Sequence, residues 1–289
     1  MTSPTMRCAR IPVRDIRLSV GIVGFGPPLL VMHGGPSADM WTMQGLRPLA
    51  DRHTLVFYDH RGNGRTTGAP IDTMTWDNLT ADADALREHL GYDRWAVLGH
   101  SFGGQVALEY ALRYPRSVTR LVLLDSGADA HWARDHAPTV LTERGVDDRT
   151  VELVRRWFHG DFTPRQYYRI FTRISGLYLS HPRPHLLLRA LAHGAWRSRI
   201  RPRALIVAGR RLLPGWSVRS RLGEITAPTL VLAGRDDFVF PPECQQELAA
   251  GLPHSELVLV DDAGHSPQDE RPRQVLAALR PFLDPSGRH

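Results

Sequence analysis

Short apolar runs and longer amphipathic stretches alternate along most of this chain. Apolar runs that end at turn-forming residues predict buried strands, and apolar positions at helical spacing predict helices. The predicted strands cover residues 17–23, 29–32, 54–58, 95–98, 121–124, 229–233 and 257–260. The predicted helices cover residues 77–90, 105–114, 243–250 and 273–283. This alternation predicts an α/β fold with a mostly parallel central sheet and helices on both faces.

The alternation stops after residue 126 and resumes with the strand at 229–233. We interpret the helical and irregular segment 127–221 as an inserted cap, which leaves residues 1–126 and 222–289 as the two parts of the core. Residues 204–208 imitate the later strand at 229–233, and their pattern fits a strand or a cap helix. We expect most cap aromatics to pack in its core and one or two to line a pocket. They are Trp132, Trp157, Phe158, Tyr167, Tyr168, Phe171, Tyr178 and Trp196.

The composition is that of a globular enzyme-sized protein. A chain of 289 residues with 42% hydrophobic residues can bury a full core. The two cysteines, Cys8 and Cys244, fit neither a disulfide framework nor a zinc motif, so we expect no metal and no cofactor. No apolar run is long enough for a membrane span and no apolar targeting segment is evident, which predicts a cytoplasmic protein.

The net charge of +6 comes from 36 basic residues, all of them arginine. Clustered basic residues can bind phosphate backbones or anionic membranes. Here no recognition motif, basic amphipathic helix or continuous block of charge accompanies them, so we expect solvated arginines and neither a nucleic-acid nor a membrane partner.

The stretch Gly99-His100-Ser101-Phe102-Gly103 carries the strongest chemical signal. It lies between the predicted strand at 95–98 and the predicted helix at 105–114, so Ser101 sits on a sharp strand-to-helix turn. Glycines two residues before and after the serine tolerate the strain and the close chain approach of such a turn. The pattern therefore predicts a nucleophilic serine. We expect His100 to pack under this turn and not to act as a base.

A serine nucleophile needs a histidine base and a carboxylate that orients it. His265 follows the predicted strand at 257–260, and the adjacent Asp236 and Asp237 follow the strand at 229–233. Adjacent side chains cannot both face one histidine, so one aspartate is the triad acid and the other can serve as a helix cap.

An oxyanion hole is predicted at the loop after the strand at 29–32. His33-Gly34-Gly35-Pro36 follows that strand, and its glycines leave a backbone N–H open above Ser101. Gly35 and Phe102 are the expected donors, each contributing about 3 kcal/mol to transition-state stabilisation.

With these residues the chain resembles the α/β-hydrolase superfamily, and within it the serine hydrolases of the proline iminopeptidase type. His33-Gly34-Gly35-Pro36, the Ser101 turn and the segment from Asp59 to Thr66 match that group's signatures. Ser37, His60 and Thr66 stand where its pattern has glycine, glutamine and serine. The resemblance also favours Asp237 as the acid, because it stands three residues after Gly234. It implies an α/β-hydrolase fold that covers nearly the whole chain.

The segment from Asp59 to Thr66 follows the strand at 54–58 and contains an aspartate, an arginine and two glycines. We expect a tight structural loop held by an internal ion pair.

The function expected from these residues is a serine hydrolase that cleaves an ester, lactone, thioester or amide of a small organic molecule through an acyl-enzyme at Ser101. A proline iminopeptidase is one alternative. Others are an enzyme that uses the triad for acyl transfer, cyclisation or carbon–carbon cleavage, and a non-enzymatic receptor on a hydrolase scaffold. Iminopeptidases of the type resembled hold a substrate ammonium with cap carboxylates, yet residues 155–221 contain fifteen arginines and one acidic residue, Asp161. This charge disfavours the aminopeptidase.

Overall fold

A computed structural model describes residues 5–181 and 198–284. The strands are β1 (Arg7–Val13), β2 (Ile16–Val23), β3 (Pro28–Met32), β4 (Thr54–Tyr58), β5 (Trp95–His100), β6 (Val118–Leu124), β7 (Thr229–Gly234) and β8 (Ser255–Val260). They form an eight-stranded sheet in the order β1-β2-β4-β3-β5-β6-β7-β8. Strand β2 is antiparallel to both β1 and β4, whereas all neighbours from β4 to β8 are parallel. The carboxyl ends of six strands therefore meet at one edge, where ligands bind in open α/β sheets.

The described residues contain nine helices. They are α1 (Trp76–His89), α2 (Phe102–Arg113), α3 (Ala137–Glu143), α4 (Asp148–His159), α5 (Pro164–Ile174), α6 (Pro202–Val207), α7 (Pro242–Gly251), α8 (Pro267–Glu270) and α9 (Pro272–Leu283). Among them, α1, α2, α7 and α9 cover the two faces of this sheet. Tighter or wider helical turns cover Met40–Asp51, Ile71–Thr73, Pro115–Ser117, Trp132–His136, Ser175–Tyr178, Ala208–Leu212 and Arg219–Glu224.

Strand side chains alternate between two apolar layers. In β3, Leu30 and Met32 join the layer formed with α1, α2 and α7, while Leu29 and Val31 join the layer formed with the Met40–Asp51 turn and α9. A strand covered on both faces is apolar at consecutive positions, which explains the continuous runs in the sequence. The predicted α/β class and mostly parallel sheet are confirmed.

Helices α3 to α6 lie between β6 and β7 and share a third apolar cluster. Trp157, Tyr167 and Ile170 are buried there together with Phe238 and Phe240 from the loop after β7. Tyr168 and Phe171 are instead exposed, and the predicted cap residue Trp196 lies outside the described residues. The division into core and cap at 126/127 and 221/222 stays a prediction.

Two local features differ from or complete the sequence prediction. Strand β1 was not predicted, because only Ile11 and Val13 of its residues are buried and no apolar run marks it. Strand β1 pairs with β2 alone and so forms one edge of the sheet. Residues 204–208, which fitted a strand or a helix, belong to α6 and the turn after it.

The expected ion pair inside the Asp59 loop is wrong in its partners. Arg61 is 1% exposed and binds Asp82 and Asp15 at 2.7 Å each, so it ties the loop to α1 and to the turn between β1 and β2. Asp59 accepts backbone hydrogen bonds from Met40 at 2.9 Å and Arg65 at 2.7 Å.

Within residues 5–181 and 198–284, no helix combines the length and apolar character that a bilayer crossing requires.

Candidate active site

Ser101 lies on the turn between β5 and α2, at the edge where the strand ends meet. Its backbone has φ 53° and ψ −121°, a conformation that residues other than glycine rarely adopt. A Cβ on Gly99 would lie 2.3 Å from the carbonyl oxygen of Gly103, and a Cβ on Gly103 would lie 2.3 Å from that of Met32. Only glycine fits at these two positions, so the chain can cross closely beneath the serine.

His265, in the loop after β8, joins Ser101 to Asp237. Its Nε2 lies 2.9 Å from Ser101 Oγ, and its Nδ1 lies 2.8 Å from Asp237 Oδ2. Asp237 is fully buried, and its Oδ1 accepts a 2.8 Å hydrogen bond from the Val239 N–H. An ionised carboxylate only accepts, so Nδ1 carries the hydrogen and the Nε2 lone pair faces the serine hydroxyl. The arrangement can carry a proton from serine to imidazole.

Asp236 has a different environment from Asp237. Its Oδ2 accepts a hydrogen bond from the Ser180 hydroxyl, and its carbonyl oxygen accepts one from the Arg144 guanidinium at 2.9 Å. The structure therefore places Asp237, and not Asp236, beside the histidine.

His100 forms a hydrogen bond with the loop that carries His265. Its Nε2 lies 2.8 Å from the carbonyl oxygen of His265, so Nε2 carries a hydrogen. Burial lowers the pKa of His100 to about 3, which keeps the ring neutral at physiological pH. The ring thus holds the backbone of His265 without competing for the serine proton.

Two further histidines orient the loop that contains Gly35. His33 Nε2 accepts the backbone N–H of His60 at 3.2 Å, so its Nδ1–H donates to the Gly34 carbonyl at 2.9 Å. Burial lowers the pKa of both rings, in agreement with neutral imidazoles. Because C=O and N–H point in opposite directions in a trans peptide, this bond directs the Gly35 N–H to the opposite side of the loop from His33.

Phe102 is the first residue of α2, and its position leaves its amide available. The first N–H groups of a helix have no partner within the helix, and the helix dipole favours negative charge there. Ser126 Oγ donates to the Ser101 carbonyl at 2.9 Å, which fixes the peptide that carries the Phe102 N–H. Gly35 and Phe102 can therefore both donate to an oxyanion.

Comparisons with known proteins identify the family of this chain. A family model described as the alpha/beta hydrolase fold matches residues 27–272. The chain belongs to this family. It is 32% identical over 266 residues to a protein of Agrobacterium fabrum that carries the name carbamate hydrolase RutD, covering 90% of this chain and 94% of that one. It is 26% identical to a proline iminopeptidase of Heyndrickxia coagulans, covering 90% and 92%. The solved proline iminopeptidase-related protein of Thermus thermophilus superposes with a TM-score of 0.74 at 26% identity, covering 96% and 100%.

The hydrolase covers His265 with the turn Ser175–Tyr178. The Tyr178 carbonyl accepts the His265 N–H at 2.8 Å, and the Tyr178 ring packs edge-on against the imidazole at 5.4 Å. Glu270 Oε2 accepts the Ser180 N–H at 2.9 Å, and its Oε1 accepts the Gly264 N–H at 2.7 Å. One carboxylate therefore joins the segment after this turn to the loop that carries His265.

A second contact joins the segment between β6 and β7 to residues 33–37, which we call the oxyanion loop. The hydroxyls of Ser37 and Tyr167 are 2.9 Å apart and buried. The N–H of Arg201 donates to the Ser37 carbonyl at 2.9 Å, and its Nε donates to Gly64 at 2.9 Å. Ser37 stands where the resembled group has glycine, so its hydroxyl supplies a bond that glycine cannot make.

Asp125, directly after β6, is a fourth polar group at the site. Ligand atoms of Asp125, Asp237 and His265 lie within 4.8 Å of one another. Both ring nitrogens of His265 are already engaged by Ser101 and Asp237, so the arrangement is that of a hydrogen-bond chain and not of a metal site.

Sequence reasoning missed Asp125, Glu270 and the covering role of Tyr178. For Asp125 a signal was present, since it follows its strand directly, at the same sheet edge as Asp237 and His265. Tyr178 was one cap aromatic among several, and Glu270 stands in no motif. Their roles depend on distant chain segments that meet at this edge.

Proposed function

We propose that this enzyme is a serine hydrolase that forms an acyl-enzyme at Ser101. The hydrogen-bond chain from Ser101 through His265 to the buried Asp237 carries this proposal. His265 Nε2 takes the hydroxyl proton while Ser101 Oγ attacks the substrate carbonyl, and Asp237 stabilises the resulting imidazolium. The N–H groups of Gly35 and Phe102 bind the oxyanion.

Collapse of the tetrahedral intermediate returns that proton from His265 to the leaving group. Water then attacks the acyl-enzyme, with His265 as the base, and releases the acid together with Ser101. The site needs no further group for these two steps.

The substrate is a small ester, thioester, lactone, carbamate or amide without a free ammonium group. Every acidic side chain between residues 127 and 221 is either exposed or paired with a basic side chain. The pairs are Asp129–Arg219, Asp135–His159, Asp147–Arg173, Glu152–Arg155 and Asp161–Arg210, and the exposed residues are Glu143 and Asp148. Arg201 binds the oxyanion loop at Ser37. A desolvated ammonium would therefore lack an anionic partner in the described cap, which costs several kcal/mol.

The names of the relatives favour two substrate classes. The relative named a carbamate hydrolase fits a substrate without an ammonium group. A proline iminopeptidase is the second candidate, because another relative of similar coverage has that name. Because the acidic side chains of the predicted cap are exposed or paired, its charge favours the substrate without an ammonium group.

Steady-state kinetics on matched chromogenic substrates test the substrate charge. We expect short nitrophenyl esters and N-acetylprolyl-nitroanilide to give a higher kcat/KM than prolyl-nitroanilide with its free amine. If the free amine gives the highest kcat/KM, by about tenfold or more, the aminopeptidase replaces our proposal.

Fluorophosphonate labelling tests the nucleophile without any choice of substrate. The wild-type protein should react at one serine, and Ser101→Ala should not react while melting like wild type. A folded wild-type protein that never reacts would favour the receptor alternative.

A further inference from the structure

Asp125 is a buried acid without a partner for one of its oxygens. It is fully buried at the end of β6, with φ 44°. Its Oδ1 accepts the Gly234 N–H at 2.8 Å, which fixes the side chain against the end of β7. Its Oδ2 is buried, and no hydrogen-bond donor among the described residues reaches it. One carboxylate oxygen of Asp125 lies within 4.8 Å of a carboxylate oxygen of Asp237.

Two buried carboxylates this close cannot both be ionised without a large electrostatic cost. Asp237 accepts two N–H donors, from His265 and Val239, each at 2.8 Å. Asp125 accepts one, from Gly234. The negative charge is more stable where more donors surround it, which favours an ionised Asp237 and a neutral Asp125.

We propose that Asp125 is a neutral carboxylic acid whose Oδ2–H donates a hydrogen bond to Asp237, and that it acts as a positioning residue of the triad. Asp237 then accepts from three sides. This third donor withdraws electron density from the Asp237 oxygen that faces His265. Asp237 therefore orients the imidazole without making that ring excessively basic. The proton stays on Asp125 throughout the reaction. This inference rests on the proposed function for its effect on catalysis, but not for the position of the proton.

The surroundings favour the neutral form. Burial raises the pKa of Asp125 well above its usual range, and the negative charge of Asp237 raises it further, as does that of Glu270. Apart from His265, three further titratable groups around Asp237 do not offset this, because burial keeps them neutral. Burial lowers the pKa of His100 to about 3, and it raises the pKa of the Tyr178 hydroxyl and of the Cys244 thiol.

Difference infrared spectroscopy observes the proton directly. We expect the C=O stretch of a neutral carboxylic acid in wild type at neutral pH and its loss in Asp125→Asn. No such band in the difference spectrum would overturn the proposal, whatever the activity. This readout is independent of turnover, so it distinguishes a failure here from a failure of the proposed function.

The pH dependence of kcat/KM tests the positioning role. Asp125→Asn keeps an acceptor for Gly234 and an N–H donor for Asp237, so it should lose less activity than Asp125→Ala and keep the wild-type acid limb. Asp125→Ala removes the donor, leaves Asp237 more basic and stabilises the imidazolium. The acid limb should therefore move to higher pH by about half a unit to one unit.

Opposite results would identify an ionised Asp125. Loss of its negative charge in Asp125→Asn would then destabilise the imidazolium and move the acid limb to lower pH. A merely structural role would lower the activity of Asp125→Ala equally at all pH values, which would also contradict the proposal. If Asp125→Ala does not fold, the infrared band and the profile of Asp125→Asn still decide.

Discussion

Asp237→Asn is the sharpest test of the triad, because the structure determines how the new amide must lie. The Val239 N–H donates to Oδ1 at 2.8 Å and needs an acceptor there. The asparagine oxygen therefore keeps that position, and its NH₂ group replaces Oδ2, which lies 2.8 Å from His265 Nδ1. An NH₂ group donates, so Nδ1 must accept and the imidazole hydrogen moves to Nε2. Nε2 can then no longer accept the Ser101 proton.

The expected loss follows from this wrong tautomer. The corresponding substitution in another serine hydrolase triad lowers kcat by about 10⁴-fold while the geometry stays intact. We expect a loss of about 10³- to 10⁴-fold here, equal to about 4 to 5.5 kcal/mol of transition-state stabilisation. The buried volume hardly changes, so the thermal melting temperature should stay close to that of wild type.

Asp236→Asn provides a matched control one residue away. The asparagine oxygen can still accept from the Ser180 hydroxyl, so kcat/KM should remain within about threefold of wild type. The assay is steady-state hydrolysis of the best ester, together with the rate of fluorophosphonate labelling. Equal losses in both variants, or more than about a tenth of wild-type activity in Asp237→Asn, would refute the reasoning.

Three further predictions concern the nucleophile, the contact between cap and oxyanion loop, and a buried histidine. Ser101→Ala and His265→Ala should each lower kcat by about 10³-fold or more, and the double variant should be little worse, because the groups act as a unit; near-normal turnover in Ser101→Ala would end the assignment. Ser37→Gly and Tyr167→Phe remove the same hydrogen bond, so each should cost about 1 kcal/mol of stability and raise KM a few-fold with little change in kcat; additive losses in the double variant would contradict a direct bond. His100 has a folded pKa of about 3 against an ordinary 6.5, so the unfolded chain binds its proton first as the pH falls, and the stability present above 6.5 is lost towards 3. Urea denaturation should therefore show wild-type stability falling about 1.4 kcal/mol per pH unit more steeply below 6.5 than that of His100→Gln, and parallel curves would exclude this linkage.

Local sequence patterns determined the elements and much of the site. A strand buried on both faces must be apolar at consecutive positions, so the runs before Ser101, Asp237 and His265 were recognisable without the fold. Gly99 is required because a Cβ there would meet the Gly103 carbonyl oxygen four residues later, and that requirement is also local. Such constraints act between residues close in the chain, and a sequence displays them directly.

Long-range partners were decided only by the tertiary structure. Asp236 and Asp237 are adjacent residues of the same type. Only the path of the loop after β7 decides which carboxylate faces His265. Arg61 binds Asp15 and Asp82 instead of Asp59, because the order of strands brings those elements against its loop. Asp125 lies beside Asp237 because β6 and β7 are neighbours in the sheet, although 112 positions separate the two residues in the chain. Strand pairing sets these distances, and no local pattern of polar and apolar residues encodes them.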